Sequence, residues 1–83
     1  MLDEALKKSK NRTVGVKQTL RALEKESLIC VYVAKDAESH VLRPILEQCR
    51  NKRIQVQEVQ TMLELGKACG IEVGAAVAAL LSE

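Results

Sequence analysis

A lysine, a glutamine and an arginine follow a glycine in close order within Arg12-Thr13-Val14-Gly15-Val16-Lys17-Gln18-Thr19-Leu20-Arg21. On a helix, Gln18 and Arg21 share a face one turn apart and Lys17 sits at the rim of the opening turn. Together they form a small platform of hydrogen-bond donors. A helix N-terminus adds unpaired N–H groups and the positive end of the dipole, so the chemistry on offer is capture of an anion such as a phosphate. The same pattern has a plainer reading: a glycine before a lysine-bearing amphipathic helix is a common helix start with a solvated polar face.

The surrounding residues have to place that platform. Thr13 and Val14 are β-branched and lead into Gly15, and Val16, Leu20 and Leu23 then fall at helical spacing. The chain is therefore expected to pass from a short extended segment at Arg12 to Val14 into a helix from about Gly15 to Lys25. Gly15 allows a backbone angle that other residues resist and leaves no Cβ to block a close partner. Lys7, Lys8, Lys10, Arg12, Lys17, Arg21 and Lys25 crowd this region, with Glu24 as the acid among them, and Arg50, Lys52 and Arg53 form a second cluster. A basic patch beside the Gly15 turn is what a polyanion needs, although Lys7 and Lys8 equally suit a solvated terminus.

Other chemistries find little support. Cys30, Cys49 and Cys69 are far apart, no Cys-x-x-Cys pair occurs, and His40 stands alone. The spacing suits neither a zinc site nor a disulfide framework, and the apolar neighbours of the cysteines make them small core residues. A cysteine nucleophile would want a histidine base and an orienting third group, whereas His40 reads as a surface residue early in a helix. Neither a Walker-type loop nor a usable Ser, His and Asp set is present, so no enzyme activity, cofactor or metal is expected. Stacking platforms for single-stranded RNA rely on exposed aromatics, and Tyr32, inside an apolar run, is the one aromatic residue.

The chain has 83 residues, a net charge of +2, and 47% hydrophobic and 29% charged residues, which suits one small folded domain spanning 1–83. It carries neither an apolar run of about 18 residues nor a charged-then-apolar leader, so cytoplasmic residence without membrane contact is expected. In chain order, residues 2–9 suit a short helix ended by Asn11, and Ser27 opens a strand. Leu28-Ile29-Cys30-Val31-Tyr32-Val33-Ala34 reads as a central strand buried on both faces. After a turn at Asp36, Val41, Leu42, Ile45, Leu46 and Cys49 form a helical stripe. Because proline is tolerated in a first turn, Pro44 places the start of that helix near His40 to Leu42. Ile54 to Glu58 alternates as a strand with one wetter face. Thr61-Met62-Leu63-Glu64 fits a capping box, with the Thr61 hydroxyl on the third N–H and Glu64 reaching back to the first. Met62, Leu65, Gly66 and Cys69 then form one helical face, Gly66 permits close packing, and Gly70 is the stop. Local rules leave Gly74-Ala75-Ala76-Val77-Ala78-Ala79-Leu80-Leu81 undecided between helix and strand.

Two separated segments resemble one family. Thr13 to Arg21 looks like the RNA-contacting motif of the L-seven-Ae and L-thirty-e ribosomal proteins, which bind kink-turns in RNA. Glu64-Leu65-Gly66-Lys67-Ala68-Cys69-Gly70, followed by Ile71-Glu72-Val73-Gly74-Ala75-Ala76, is similar to the helix and loop at the far side of the same RNA site. The resemblance implies an α/β fold, a three-layer α/β/α sandwich around a mixed four-stranded sheet. It also implies a short helical turn after Gly74 and a strand from about Val77 to Leu81.

The implied partner is structured RNA carrying a kink-turn with tandem G·A pairs, in the ribosome or another ribonucleoprotein particle; one small recognition surface points to a monomer. Lys17 and Gln18 match positions used for guanine contacts and Arg21 a phosphate-facing position. Gly15 and Val16 would supply close backbone approach beside Arg12, Thr13 and Val14. Ile71, Glu72, Val73 and Gly74 would form the loop that packs against an unstacked nucleotide, although Ile71 and Val73 equally suit an ordinary core. Some branches carry an Asn-Glu pair in place of Lys17-Gln18 and a proline in place of Gly74. The contrasting expectation is a protein-interaction adaptor of the same fold, with weak and nonspecific RNA affinity.

Overall fold

The computed structural model describes residues 12–25 and 28–81. The helix expected at residues 2–9, its stop at Asn11 and the strand start at Ser27 lie outside them. The described chain runs β1 (Arg12–Val14), α1 (Val16–Lys25), β2 (Leu28–Ala34), α2 (Ser39–Lys52), β3 (Gln55–Val59), α3 (Met62–Ala68) and β4 (Val77–Leu81). The strands form one mixed sheet in the order β1-β4-β2-β3, in which β2 and β3 are parallel and β4 is antiparallel to both β1 and β2.

Alternation along the two inner strands builds a core on each side of the sheet. Val31, Val33, Val77 and Ala79 face Leu23 of α1 and Leu42, Ile45 and Cys49 of α2. Cys30, Tyr32, Ala34, Ala78 and Leu80 face Leu65, Ala68 and Cys69 on the α3 side. The result is the three-layer α/β/α sandwich implied by the resemblance, with all three cysteines buried as free thiols. The alanine-rich segment becomes a strand because it lies between two others and is covered on both faces, where small side chains let the layers approach. Burial thus overrides alanine's helix preference.

Several expectations need correction. No helical turn follows Gly74: residues 74–76 form an extended bend whose Ala75 N–H donates to the Met62 carbonyl at 2.9 Å. The Ala76 carbonyl there accepts from the Ala34 N–H, also at 2.9 Å, so this backbone bonds its neighbours instead of itself. Helix α2 begins at Ser39, which puts Pro44 past the first turn; its missing N–H costs the bond to the carbonyl of exposed His40. The first N–H of α3, on Met62, donates to the Asp36 carboxylate at 2.8 Å and not to Glu64, while the Thr61 hydroxyl does accept from the Glu64 N–H at 3.1 Å. Ile29 is exposed because a register shift between Leu28 and Cys30 interrupts the β2–β4 pairing. The β3 strand lies at an edge, and Gln55, Gln57 and Glu58 are exposed along it.

Candidate nucleic-acid interface

Because β1, β2 and β3 all run antiparallel to β4 or parallel to each other, their carboxyl ends meet at one end of the sheet, where all three helices begin. The three helix starts differ in charge. Asp36 and Thr61 occupy donors at the start of α3, and the N-cap residue of α2 is Glu38, whose carboxylate lies 3.2 Å from the His40 ring and makes no side-chain cap bond. Helix α1 has no acidic residue in its first turn. It is therefore the start best suited to an anion.

Gly15 forms the turn into α1 with φ +98°, in the region that glycine alone enters cheaply. Its N–H donates to the Val77 carbonyl at 2.8 Å, and its carbonyl accepts the first helical bond, from the Thr19 N–H, at 3.1 Å. The N–H groups of Val16, Lys17 and Gln18 precede that bond and point out of the helix end. A Cβ on Gly15 would meet nothing within 4 Å, so the space in front of the turn is open. Beneath it the Thr13 and Thr19 hydroxyls share a buried hydrogen bond of 2.9 Å, which ties the strand to the helix it feeds.

Amphipathic spacing sorts the rest of α1. Thr19, Ala22 and Leu23 are buried, Val16 and Leu20 are half-buried, and Lys17, Gln18 and Arg21 are exposed as a group. A shallow groove of about 520 Å³ runs beside them, lined by Thr13, Gln18, Arg21, Ala22 and Lys25. Lys25 was absent from the expected site, although its place seven residues after Gln18 puts it on the same wall.

The second segment is held by its backbone. Gly70, at φ +80°, ends α3: its own N–H donates to the Lys67 carbonyl and that of Ile71 to the Gly66 carbonyl, each at 3.0 Å. The chain then crosses back over α3 so closely that a Cβ on Gly66 would collide with the Val73 carbonyl, its carbon 3.0 Å away. Gly74 sits as tightly, since a Cβ there would lie 3.1 Å from that of Met62. These contacts leave the Glu72 and Val73 side chains exposed and turn Ile71 partly into the α3-side core.

The two segments adjoin. Val14 pairs with Ala78, and the Gly15–Val77 bond sets the turn against the end of the 71–76 loop. The Arg12 guanidinium reaches across from β1 and donates to the Cys69 carbonyl at 2.7 Å. Of the residues expected to touch a ligand, Arg12 is partly exposed and engaged with Cys69, and Thr13 is buried against Thr19. Val14 packs against the α3-side core. Gly15, Val16, Lys17, Gln18, Arg21, Glu72, Val73 and Gly74 remain at least partly accessible at one end of the molecule. Burial pushes the thiols of Cys30, Cys49 and Cys69 and the phenol of Tyr32 upward, with the Arg12 charge drawing Cys69 part of the way back. These groups are core and stand apart from the interface. Among the described residues no group of His, Cys, Asp and Glu is placed to hold a metal, and no helix is long and apolar enough to cross a membrane.

Known proteins are similar to this chain in sequence and in fold. A model of the ribosomal protein L7Ae/L30e/S12e/Gadd45 family matches residues 2–83. A protein of Caldanaerobacter subterraneus subsp. tengcongensis, named as RNA-binding, is 53% identical over 68 residues, covering 82% of this chain and 83% of the relative. Another of that name, from Halalkalibacterium halodurans, is 44% identical over 77 residues, or 93% and 94% of the two chains. The Giardia lamblia 15.5kD RNA binding protein superimposes with a TM-score of 0.86 at 19% identity, covering 99% of this chain and 69% of its own, and so shares the fold.

Proposed function

The chain belongs to the ribosomal protein L7Ae/L30e/S12e/Gadd45 family, and from that premise we propose that it binds structured RNA by recognising and stabilising a kink-turn, in the ribosome or associated with it. Family membership supports RNA binding in general. The kink-turn reading rests on one observation: an open, acid-free helix start led by a positive-φ glycine, with Lys17, Gln18 and Arg21 set beside the 71–74 loop.

Lys17 and Gln18 donate to guanine O6 and N7 at the tandem G·A pairs, where the kink opens a major groove that regular A-form RNA keeps too narrow. Arg21 and the N–H groups of Val16 to Gln18 take neighbouring phosphates. Val73 presents an apolar side chain to an unstacked nucleotide. The site is preformed by Gly15, Thr13 and Arg12, so it binds the bent RNA better than the extended form and shifts the RNA toward the bend. The protein acts as a clamp on RNA shape.

The test is a titration, in moderate salt without magnesium, of a kink-turn duplex with fluorophores on its ends and of a control with Watson–Crick pairs in place of the G·A pairs. Saturable binding with increased energy transfer for the kink-turn alone is the expected result. Equal, weak, salt-sensitive binding to both RNAs would overturn it in favour of a protein-interaction adaptor of the same fold.

A further inference from the structure

Three of the five arginines in the chain, Arg43, Arg50 and Arg53, lie on or just past α2. Arg43 and Arg50 are two helical turns apart on one face, and Arg53 closes that flank at the helix end, about 15 Å from Arg43 along the axis. All three are exposed. A shallow groove of about 310 Å³ runs along this face, lined by Ser39, Arg43, Leu46, Glu47 and Arg50. Glu47 shares this face with Arg43 and Arg50, and with Arg53 beside them the three arginines leave the flank net positive. Helix α2 packs beside α1 and begins at the same end of the sheet as the RNA-facing turn. Its arginine face therefore continues from that end toward the opposite pole.

Arg53 carries an independent sign of purpose. It is the one residue other than glycine with positive φ among the described residues, at φ 57°. It ends α2 in the same way that Gly70 ends α3: the Arg53 N–H donates to the Arg50 carbonyl at 3.3 Å and the Ile54 N–H to the Cys49 carbonyl at 2.9 Å. Glycine fills this position at no steric cost, so an arginine here is a strained choice, and strain kept at the surface points to use of the side chain.

We infer that Arg43, Arg50 and Arg53 form a second RNA-contacting surface, which takes the phosphate backbone of a duplex arm leaving the kink. The inference rests on the kink-turn reading above. Guanidinium groups suit phosphate oxygens through paired donors, and a row of them along one helix matches a continuous backbone better than a single small ligand. Leu46, 41% exposed between them, gives the groove an apolar patch. Glu47 opposes the phosphates and tempers the affinity.

The test compares a kink-turn RNA with short arms and the same RNA with both arms lengthened by a full helical turn. The chain is expected to bind the longer RNA more tightly. Arg53→Gly, which relieves the backbone and so keeps the fold, and Arg43→Gln/Arg50→Gln are expected to abolish that gain and leave short-arm binding unchanged. The salt dependence for the long RNA should fall by about 0.7–0.9 in log–log slope per arginine removed. Glu47→Gln is expected to tighten long-arm binding. Equal affinity for the two RNAs, or a gain that survives the substitutions, would overturn the inference, leave the kink-turn reading intact and favour an acidic protein surface as the occupant. If a Watson–Crick duplex of the longer length binds as well as the kink-turn, the kink-turn reading fails. Loss of duplex binding in the arginine variants would then still support a phosphate contact, and its persistence would overturn that too.

Discussion

The guanidinium of Arg12 and the carbonyl of Cys69, 57 residues apart in the chain, are joined by a 2.7 Å hydrogen bond that links the strand before the glycine turn to the loop across from it. Arg12→Met keeps the aliphatic stem and removes the donor. It is expected to cost about 1.5 kcal/mol of stability, the lower end for a charge-assisted bond because the site is partly exposed. Hydrogen exchange should quicken at the Ile71 and Ala75 N–H groups and kink-turn affinity should drop. Unaltered exchange in a folded variant would show that the loop holds itself.

The Thr13–Thr19 pair offers a sharper energetic test. Either single substitution to valine strands a buried hydroxyl and is expected to cost about 1–3 kcal/mol, whereas the double variant should recover much of the loss. Urea denaturation of the four proteins gives the coupling directly. Additive losses would mean that the two hydroxyls act independently.

Gly15 and Gly66 are needed for opposite reasons. At Gly15 the surroundings are empty and the backbone angle is the obstacle, so Gly15→Ala should cost about 1–2 kcal/mol. Placing Asn there should cost less, since asparagine tolerates positive φ. At Gly66 the obstacle is the Val73 carbonyl, and both Gly66→Ala and Gly66→Asn should destabilise, by about 1–3 kcal/mol or more, and displace the loop. Thermal denaturation of the four variants checks the contrast; rescue by asparagine at position 66 would contradict it.

Lys17 is fully outside the core, so its removal isolates recognition from folding. Lys17→Ala is expected to weaken kink-turn binding by about 1–3 kcal/mol without a change in melting temperature. Unchanged affinity in a folded variant would overturn the site assignment.

Three buried thiols and Tyr32 titrate above their ordinary ranges because the core disfavours their charged forms. The unfolded chain therefore loses these protons first as pH rises. Their contribution to stability is whole below about pH 8.5, falls as the pH climbs beyond it, and falls further above about pH 10 as unfolded tyrosine ionises. Urea midpoints measured from pH 7 to 10.5 should decline over that interval; a flat profile would place the thiols in contact with solvent.

What could be read from the residues was local. The Gly15 turn, the Thr61 cap, the Gly70 stop and the buried run of β2 each follow from a few neighbours in the chain. The donors for Asp36 and Cys69 were illegible because their partners, Met62 and Arg12, lie 26 and 57 positions away and only the folded sheet brings them together. The alanine run failed on local rules for a related reason: its state is decided by which strands flank it. The resemblance put Arg12 and Thr13 in the ligand-facing segment, and only the fold shows that Thr13 turns inward to Thr19 and that Arg12 reaches Cys69.

The position of β4 between β1 and β2 has a consequence in time. As the chain is made from its N-terminus, β1 emerges early and has no neighbour to pair with until residues 77–81 follow. The Gly15 turn lacks its bond to Val77 for the same interval. A partly synthesised chain thus carries the lysine, glutamine and arginine of α1 but not the frame that aims them. The edge strand and the turn that follows it are therefore completed only by the last strand of the sheet to be made.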